Sequence, residues 1–119
     1  MVANDSLKSR LSRSSEIDIT VTGRKSGRAI TVPIWFVLEG DTLYFLPVGG
    51  SDTQWYKNVV KNPKLKIAVG GATADMAVTA VTDAGQVNAV VEKFRAKYGA
   101  ADVKKYYSKF DVALVAHIS

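Results

Sequence analysis

The sequence contains no cysteine and a single histidine, His117. The first absence excludes disulfides, iron–sulfur clusters, thiolate zinc sites and a cysteine nucleophile. The second excludes a histidine-built metal site within one chain. A Ser-His-Asp triad would have to use His117, and nothing resembling a nucleophile elbow accompanies it. His117 is therefore expected as a side chain on the last strand. No stretch approaches the roughly 20 apolar residues that cross a bilayer. The segment from Met1 to Ser15 is polar and basic, without the apolar run of a secretory signal, so a cytoplasmic location is expected. Acidic residues are outnumbered, 11 against 16 Lys and Arg, giving a net charge of +5. Such an excess favours anionic partners without naming one.

What is present suits one domain, residues 1–119, with 1–15 as a short helical or mobile N-terminal segment. In that segment Asn4 or Asp5 is the candidate cap, and only Leu7 and Leu11 mark an apolar face. Glu16 to Thr22 alternates cleanly, with Ile17, Ile19 and Val21 pointing one way, as in a half-buried strand. Gly23-Arg24-Lys25-Ser26-Gly27 breaks it with a loop of hairpin length. The return strand, Ala29 to Leu38, is apolar on both faces. Ile30, Val32, Ile34, Phe36 and Leu38 share one face, and Trp35 and Val37 the other. A strand covered on both sides suits a barrel wall that also meets a ligand or a second subunit, and a homodimer is expected.

A third strand, Thr42 to Leu46, ends at Pro47. Asp52 or Thr53 caps a short helix running to Lys61, stopped by Asn62-Pro63. Leu65, Ile67 and Val69 mark a fourth strand, and Thr73 to Val81 a fifth. Thr82 or Asp83 caps a helix with apolar positions Val87, Val90, Val91, Phe94 and Tyr98, a strongly helical spacing. Gly99 interrupts it, a short helix follows over 101–108, and Val112 to Ile118 closes the chain. The expected class is α+β: a mostly antiparallel six-stranded split β-barrel with short helices after strands three and five.

Three groups of residues carry candidate chemistry. In the first hairpin, glycines permit a tight loop with outward amides, and Arg24, Lys25, Ser26 and Arg28 suit a phosphate or carboxylate. A solvated loop that merely keeps the tip soluble is the competing explanation. The spacing is neither a Walker loop nor a dinucleotide fingerprint. Second, Gly49-Gly50 allows a ligand to approach the backbone, while Trp55 and Asn58, three apart, share a helix face. Their alternative is a core tryptophan with an asparagine bonding the chain. Third, Trp35, Tyr44, Phe45 and Tyr56 either border a ring-shaped ligand or fill the core. Tyr106 and Tyr107 either cover a pocket from the late helix or only pack it.

Taken together, "ITVTGRKSGRAITVPIWF", the Gly-Gly turn and "WYKNVVKNPKLKI" resemble the deazaflavin-dependent nitroreductase family. The resemblance runs from about Ile17 to Val69. It implies a split-barrel oxidoreductase in which reduced coenzyme F420 donates hydride to a small organic electrophile. It also implies that Arg24, Lys25 and Ser26 bind the cofactor's phosphate and acidic tail; from the loop's geometry Lys25 at the tip is expected as the main anchor, with Arg24 and Arg28 secondary. Gly49 and Gly50 would admit the deazaflavin ring, and Trp55 and Asn58 would wall it. Trp35 would face the substrate pocket. No metal and no protein nucleophile is implied. Related split barrels use FMN, which is the alternative cofactor. A non-catalytic nucleic-acid- or anion-binding barrel is a further class, although no stacking strand interleaves aromatics with cations. The partner expected is a small-molecule substrate, rather than nucleic acid or a membrane.

Overall fold

The computed structural model describes residues 3–118. Among the described residues, four helices and seven strands follow one another. Helix α1 is Ala3–Ser12, and strands β1 to β4 are Ile17–Thr22, Ala29–Ile34, Val37–Glu39 and Thr42–Phe45. A short 3-10 turn, Gly50–Asp52, leads into α2, Gln54–Lys61. Strands β5, Lys64–Val69, and β6, Ala72–Val81, precede α3, Ala84–Tyr98, and α4, Ala100–Tyr106; β7 is Ala113–His117. The candidate caps at Asn4 and Asp5 rest on side chains outside the described set. Leu7 and Leu11, one turn apart, are both buried and dock α1 on the core.

All the strands pair antiparallel in one curled sheet ordered β2-β1-β5-β6-β7-β4-β3, which forms a half-barrel. The curl turns on β6. Its first part, Ala72 to Ala77, pairs with β5, and its last part, Val78 to Val81, pairs with β7. A long strand that changes partners midway must bend, and the sheet bends with it.

The expected single strand from Ala29 to Leu38 is two, so the sheet has seven strands where six were expected. The reason is topological. Ile34 still pairs with Ile17 of β1, whereas Val37 pairs with Tyr44 of β4, at the opposite end of the sheet. Trp35 and Phe36 carry the chain between the two ends and belong to neither ladder. Face alternation nevertheless persists through the crossing. Val32, Ile34, Phe36 and Leu38 join the core inside the curl, with α1 and α2. Trp35 and Val37 join a second core, built with α3 and α4. The second apolar face is thus covered by the chain's own late helices.

The long helix starts as its cap signal implies, with the Gln86 amide donating to Asp83 Oδ2 at 3.0 Å. Its apolar stripe, Val87, Val90, Val91 and Phe94, is buried. No helix among the described residues is long and apolar enough to cross a membrane.

Candidate functional site

Where the crossing meets α2 and the end of α4, the surface opens into a cleft of about 570 Å³. That is within the range of small-molecule sites, roughly 300–1,000 Å³. Its walls include Trp35 from the crossing, Trp55 from α2, and Tyr106 and Tyr107 from the late helical segment. Glu16, Pro33, Ile34, Leu46, Val48 and Thr53 complete the lining. Four aromatic residues from three separate regions of sequence therefore converge.

Each aromatic residue presents a different surface. Trp55 and Tyr107 are buried, whereas Tyr106 is 51% exposed at the mouth. Tyr106 meets the Trp35 indole edge-on, with centroids 5.5 Å apart and planes at 75°. Tyr107 lies 6.0 Å from Trp35 at a tilt. Burial pushes the Tyr107 phenol well above its ordinary value, with the nearby Tyr98 adding to the shift. It is neutral and a hydrogen-bond donor at any working pH. The Tyr107 hydroxyl and the indole N–H groups of Trp35 and Trp55 make no hydrogen bonds within the described chain, yet no buried side-chain polar atom lacks a partner. All three donors therefore remain open to water or ligand.

The basic hairpin sits against the same helix. Gly23 N donates to Arg28 O at 2.8 Å and Gly27 N to Gly23 O at 2.9 Å, closing the loop. Gly27 takes a φ of +70°, which only glycine adopts without strain. Arg24 does not reach for the loop tip. Its guanidinium donates to Asn58 Oδ1 at 2.8 Å and Gln54 Oε1 at 2.8 Å, while its backbone N–H also donates to Asn58 Oδ1, at 3.1 Å. Lys25, Ser26 and Arg28 are exposed. The Ser26 hydroxyl accepts from the Arg28 amide at 3.2 Å. The cations are thus divided: Arg24 binds the loop to α2, and Lys25 and Arg28 face solvent.

Asn58 is accordingly turned toward the hairpin, while Trp55 of the same helix lines the cleft. The glycine pair does not line the cleft either. Gly50 has φ +57°, and a Cβ there would lie 2.2 Å from Asp111 Oδ1. Asp111 in turn accepts from Ser51 N at 2.9 Å and Ser51 Oγ at 2.5 Å. Ser108 N donates to Val48 O at 2.9 Å and Lys109 pairs with Asp52 at 3.2 Å, so the two loops bordering the cleft are fastened together.

This fastening has an acid limit. The Ser51 hydrogen bonds, with Lys109 nearby, hold the Asp111 carboxyl below its ordinary value, outweighing the opposing effect of burial. A carboxylate lowered in the folded state contributes stability above its unfolded pKa and loses it as pH falls through the folded value. Thermal stability is expected to drop below about pH 4, and more shallowly in Asp111→Asn than in the parent. Melting curves across pH 2–6 check this; parallel acid limbs would show that the pair contributes nothing.

Tyr44, Phe45 and Tyr56 belong to the packing. Phe45 is fully buried and Tyr56 nearly so, and burial raises the Tyr56 phenol pKa. Lys93 lies over the Tyr44 ring, 5.2 Å from its centroid. His117 stands on β7, its Nδ1 3.2 Å from Thr42 Oγ1. Among the described residues no group of His, Cys, Asp and Glu is placed to hold a metal ion.

Sequence reasoning missed Tyr98, reading it only as the last apolar position of α3. Its ring stacks on Trp35, with centroids 4.1 Å apart and planes at 10°. Its phenol is pushed up to about 12, mainly by burial. The one available signal was a hydroxyl at the end of an apolar stripe.

Comparison with solved structures shows where this fold recurs. An F420-H2 dependent reductase (FDR-A) is 20% identical, matches with a TM-score of 0.67, and is covered over 94% of its length by 87% of this chain. A chain solved as a domain-swapped dimer gives 18% identity and a TM-score of 0.69, over 98% of this chain and 100% of its own. HutZ, the heme storage protein from Vibrio cholerae, gives 14% identity and a TM-score of 0.71, over 100% of this chain and 92% of its own. At such identities the likeness is one of fold. No curated protein matches the sequence. A family model does match, across residues 8–113. Nearly the whole half-barrel lies within that span, and the chain belongs to the family described as "Uncharacterized protein conserved in bacteria (DUF2255)".

Proposed function

We propose that this chain is an oxidoreductase that binds a flat redox cofactor with an anionic tail, reduced coenzyme F420, and uses it to reduce a small organic electrophile. The observation carrying this reading is the cleft that joins Trp35, Trp55, Tyr106 and Tyr107 beside the α2-bound hairpin. When bound, the deazaflavin supplies the hydride. The residues present fit such a group. Two free donors, the indole N–H groups of Trp35 and Trp55, match the two carbonyls of a pyrimidinedione ring. Trp55 and Trp35 offer apolar ring faces.

The tail falls to the hairpin and the start of α2. Thr53 precedes α2, but its hydroxyl accepts from Gly49 N at 2.8 Å and makes no cap bond. The first-turn amides of α2 are then left for another acceptor. Arg24 holds the hairpin to this turn through Gln54, and Lys25 and Arg28 supply mobile charge. On the substrate side, Tyr107 holds a proton at its hydroxyl and orients an electrophilic oxygen by donating to it. Tyr106, half exposed, shields the mouth from water. Resemblance over Ile17 to Val69 and the fold of FDR-A support the choice of cofactor.

Titration separates the readings. Binding of reduced and oxidised F420 is expected to quench the two tryptophans, Trp35 and Trp55. Tight binding of FMN without F420 would instead make this an FMN protein of the same fold. Heme storage, the role of HutZ on the same fold, would here have to rest on a tyrosine ligand, because the cleft walls contain no His, Cys or Met. Salt-sensitive binding of single-stranded DNA with no response to either cofactor would replace the enzyme reading with a nucleic-acid-binding barrel.

Within this reading Lys25 is the main anchor of the tail, with Arg28 secondary, because Arg24 is already engaged. Lys25→Ala is expected to weaken F420 binding roughly tenfold, the worth of one charged hydrogen bond. Folding should be almost unchanged, since exposed charges contribute little. Equal affinity of parent and variant at low salt would leave the loop as a solvated hairpin. A homodimer is proposed as well. One edge of β2 is unpaired and Ile30 on it is 38% exposed, and the fold is found in a domain-swapped dimer. Light scattering at micromolar protein should give twice the 12.9 kDa chain mass; a monomer refutes the dimer.

A further inference from the structure

The crossing between β2 and β3 leaves an unsolved account of backbone groups. Phe36 lies in neither ladder, yet it is fully buried. Buried amides and carbonyls need partners. Both partners come from the last turn of α3. Phe36 N donates to the Tyr98 hydroxyl at 3.0 Å. Phe36 O accepts from Lys97 Nζ at 2.9 Å and lies 2.8 Å from the Tyr98 hydroxyl, whose single proton is shared between it and Ser15 O, also at 2.8 Å. The Lys97 ammonium lies over the Phe36 ring, 3.7 Å from its centroid. The same Tyr98 carries its ring flat against the Trp35 indole.

We propose that Tyr98 is the positioning residue of the cleft, its hydroxyl fixing the Phe36 backbone and its ring covering and fixing one face of the Trp35 indole. This rests on the reading of the cleft as a cofactor and substrate site, and it adds a specificity rule. Tyr98 takes one face of the indole, and Tyr106 meets it edge-on. A planar ligand cannot insert between the Trp35 and Tyr98 rings, so a ligand needing that aromatic sandwich is disfavoured. The wall is set from α3, by a residue that does not line the cleft.

The test uses a Trp55→Phe parent, in which Trp35 is the single indole. Near-ultraviolet circular dichroism and acrylamide quenching of Trp35 are read in the free protein for Tyr98→Phe and Tyr98→Leu. Tyr98→Phe keeps the ring stack and loses the hydroxyl, so the Trp35 band should shrink and quenching should rise. Tyr98→Leu loses both and should show the larger change. Phe94→Leu is the control: Phe94 touches Tyr98 and Tyr107 in the same core but makes no ring contact with Trp35. It should lower the melting temperature and leave the Trp35 signature in place. Affinity for F420, and separately for FMN, is then expected to fall in the order parent, Tyr98→Phe, Tyr98→Leu. The total loss should be about tenfold, the combined worth of a hydrogen bond and an aromatic pair. An unchanged Trp35 signature in Tyr98→Leu would overturn the proposal, as would an equal change in Phe94→Leu. Failure of the Trp55→Phe and unmodified proteins to bind either cofactor would sink the functional reading alone, because the positioning is read without ligand.

Discussion

Gly50→Ala is expected to lower stability by about 2–4 kcal/mol, more than most surface substitutions. Two costs combine. A left-handed φ of +57° costs a side-chain-bearing residue roughly 1–2 kcal/mol. The new Cβ would also lie 2.2 Å from Asp111 Oδ1 and 2.9 Å from Lys109 Cγ, so the segment carrying both must move. That movement breaks the Ser51–Asp111 bonds, although their exposure limits what they are worth. In a chain of this size the melting temperature should fall by roughly 10 °C. Gly49→Ala is the matched control. Gly49 has φ −99°, and its added Cβ meets only the Thr53 hydroxyl closely, at 3.2 Å. Its cost should be well under half that of Gly50→Ala. Melting curves of the two variants decide whether the pair serves folding or ligand approach. If both melt with the parent and both lose F420 binding, the glycines admit the ring after all.

Asn58→Leu carries the second large effect, about 2–3 kcal/mol. Asn58 is only 4% exposed, and its Oδ1 accepts from both the backbone and the guanidinium of Arg24. Leucine preserves the volume but leaves a charged donor and an amide unpaired in a partly buried place. Losing one partner of a charged hydrogen bond costs about 1.5–3 kcal/mol. The consequence for binding is separate from that for folding. With Arg24 released, the hairpin no longer holds Lys25 and Arg28 beside the first turn of α2. F420 affinity should fall further than in Lys25→Ala, and Arg24→Ala should reproduce most of the loss. Urea denaturation with titration in the same samples checks both. Loss of stability with unchanged affinity would make the Arg24–Asn58 contact purely structural.

Three contacts explain how a small chain preorganises a cleft. Arg24 ties the first hairpin to α2, Asp111 ties the loop before α2 to the segment after α4, and Tyr98 ties the crossing to α3. Each contact joins residues distant in sequence, and each is made by a polar group with little choice of partner.

Local pattern was sufficient for most elements, because their signals are local. The alternation Ile17, Ile19, Val21, the stripe from Val87 to Phe94 and the Asp83 cap depend on neighbours within a turn or a pleat. Trp35, Tyr106 and Tyr107 could each be read as pocket-facing or as packing, and sequence alone did not choose between the two. Tertiary structure decided the rest. Nothing near Phe36 in sequence tells that its strand must leave β1 for the far end of the sheet, and this divides one apparent strand into two. Arg24 and Lys25 are equivalent as sequence; only the position of Asn58, thirty-four residues later, commits one to the fold and leaves the other free. Gly50 looked like an opening for a ligand because the carboxylate that fills that space, Asp111, arrives from the other end of the chain. Periodicity determines which face of an element is buried, whereas the partner that meets each polar group is set by chain topology, which no short window of sequence contains.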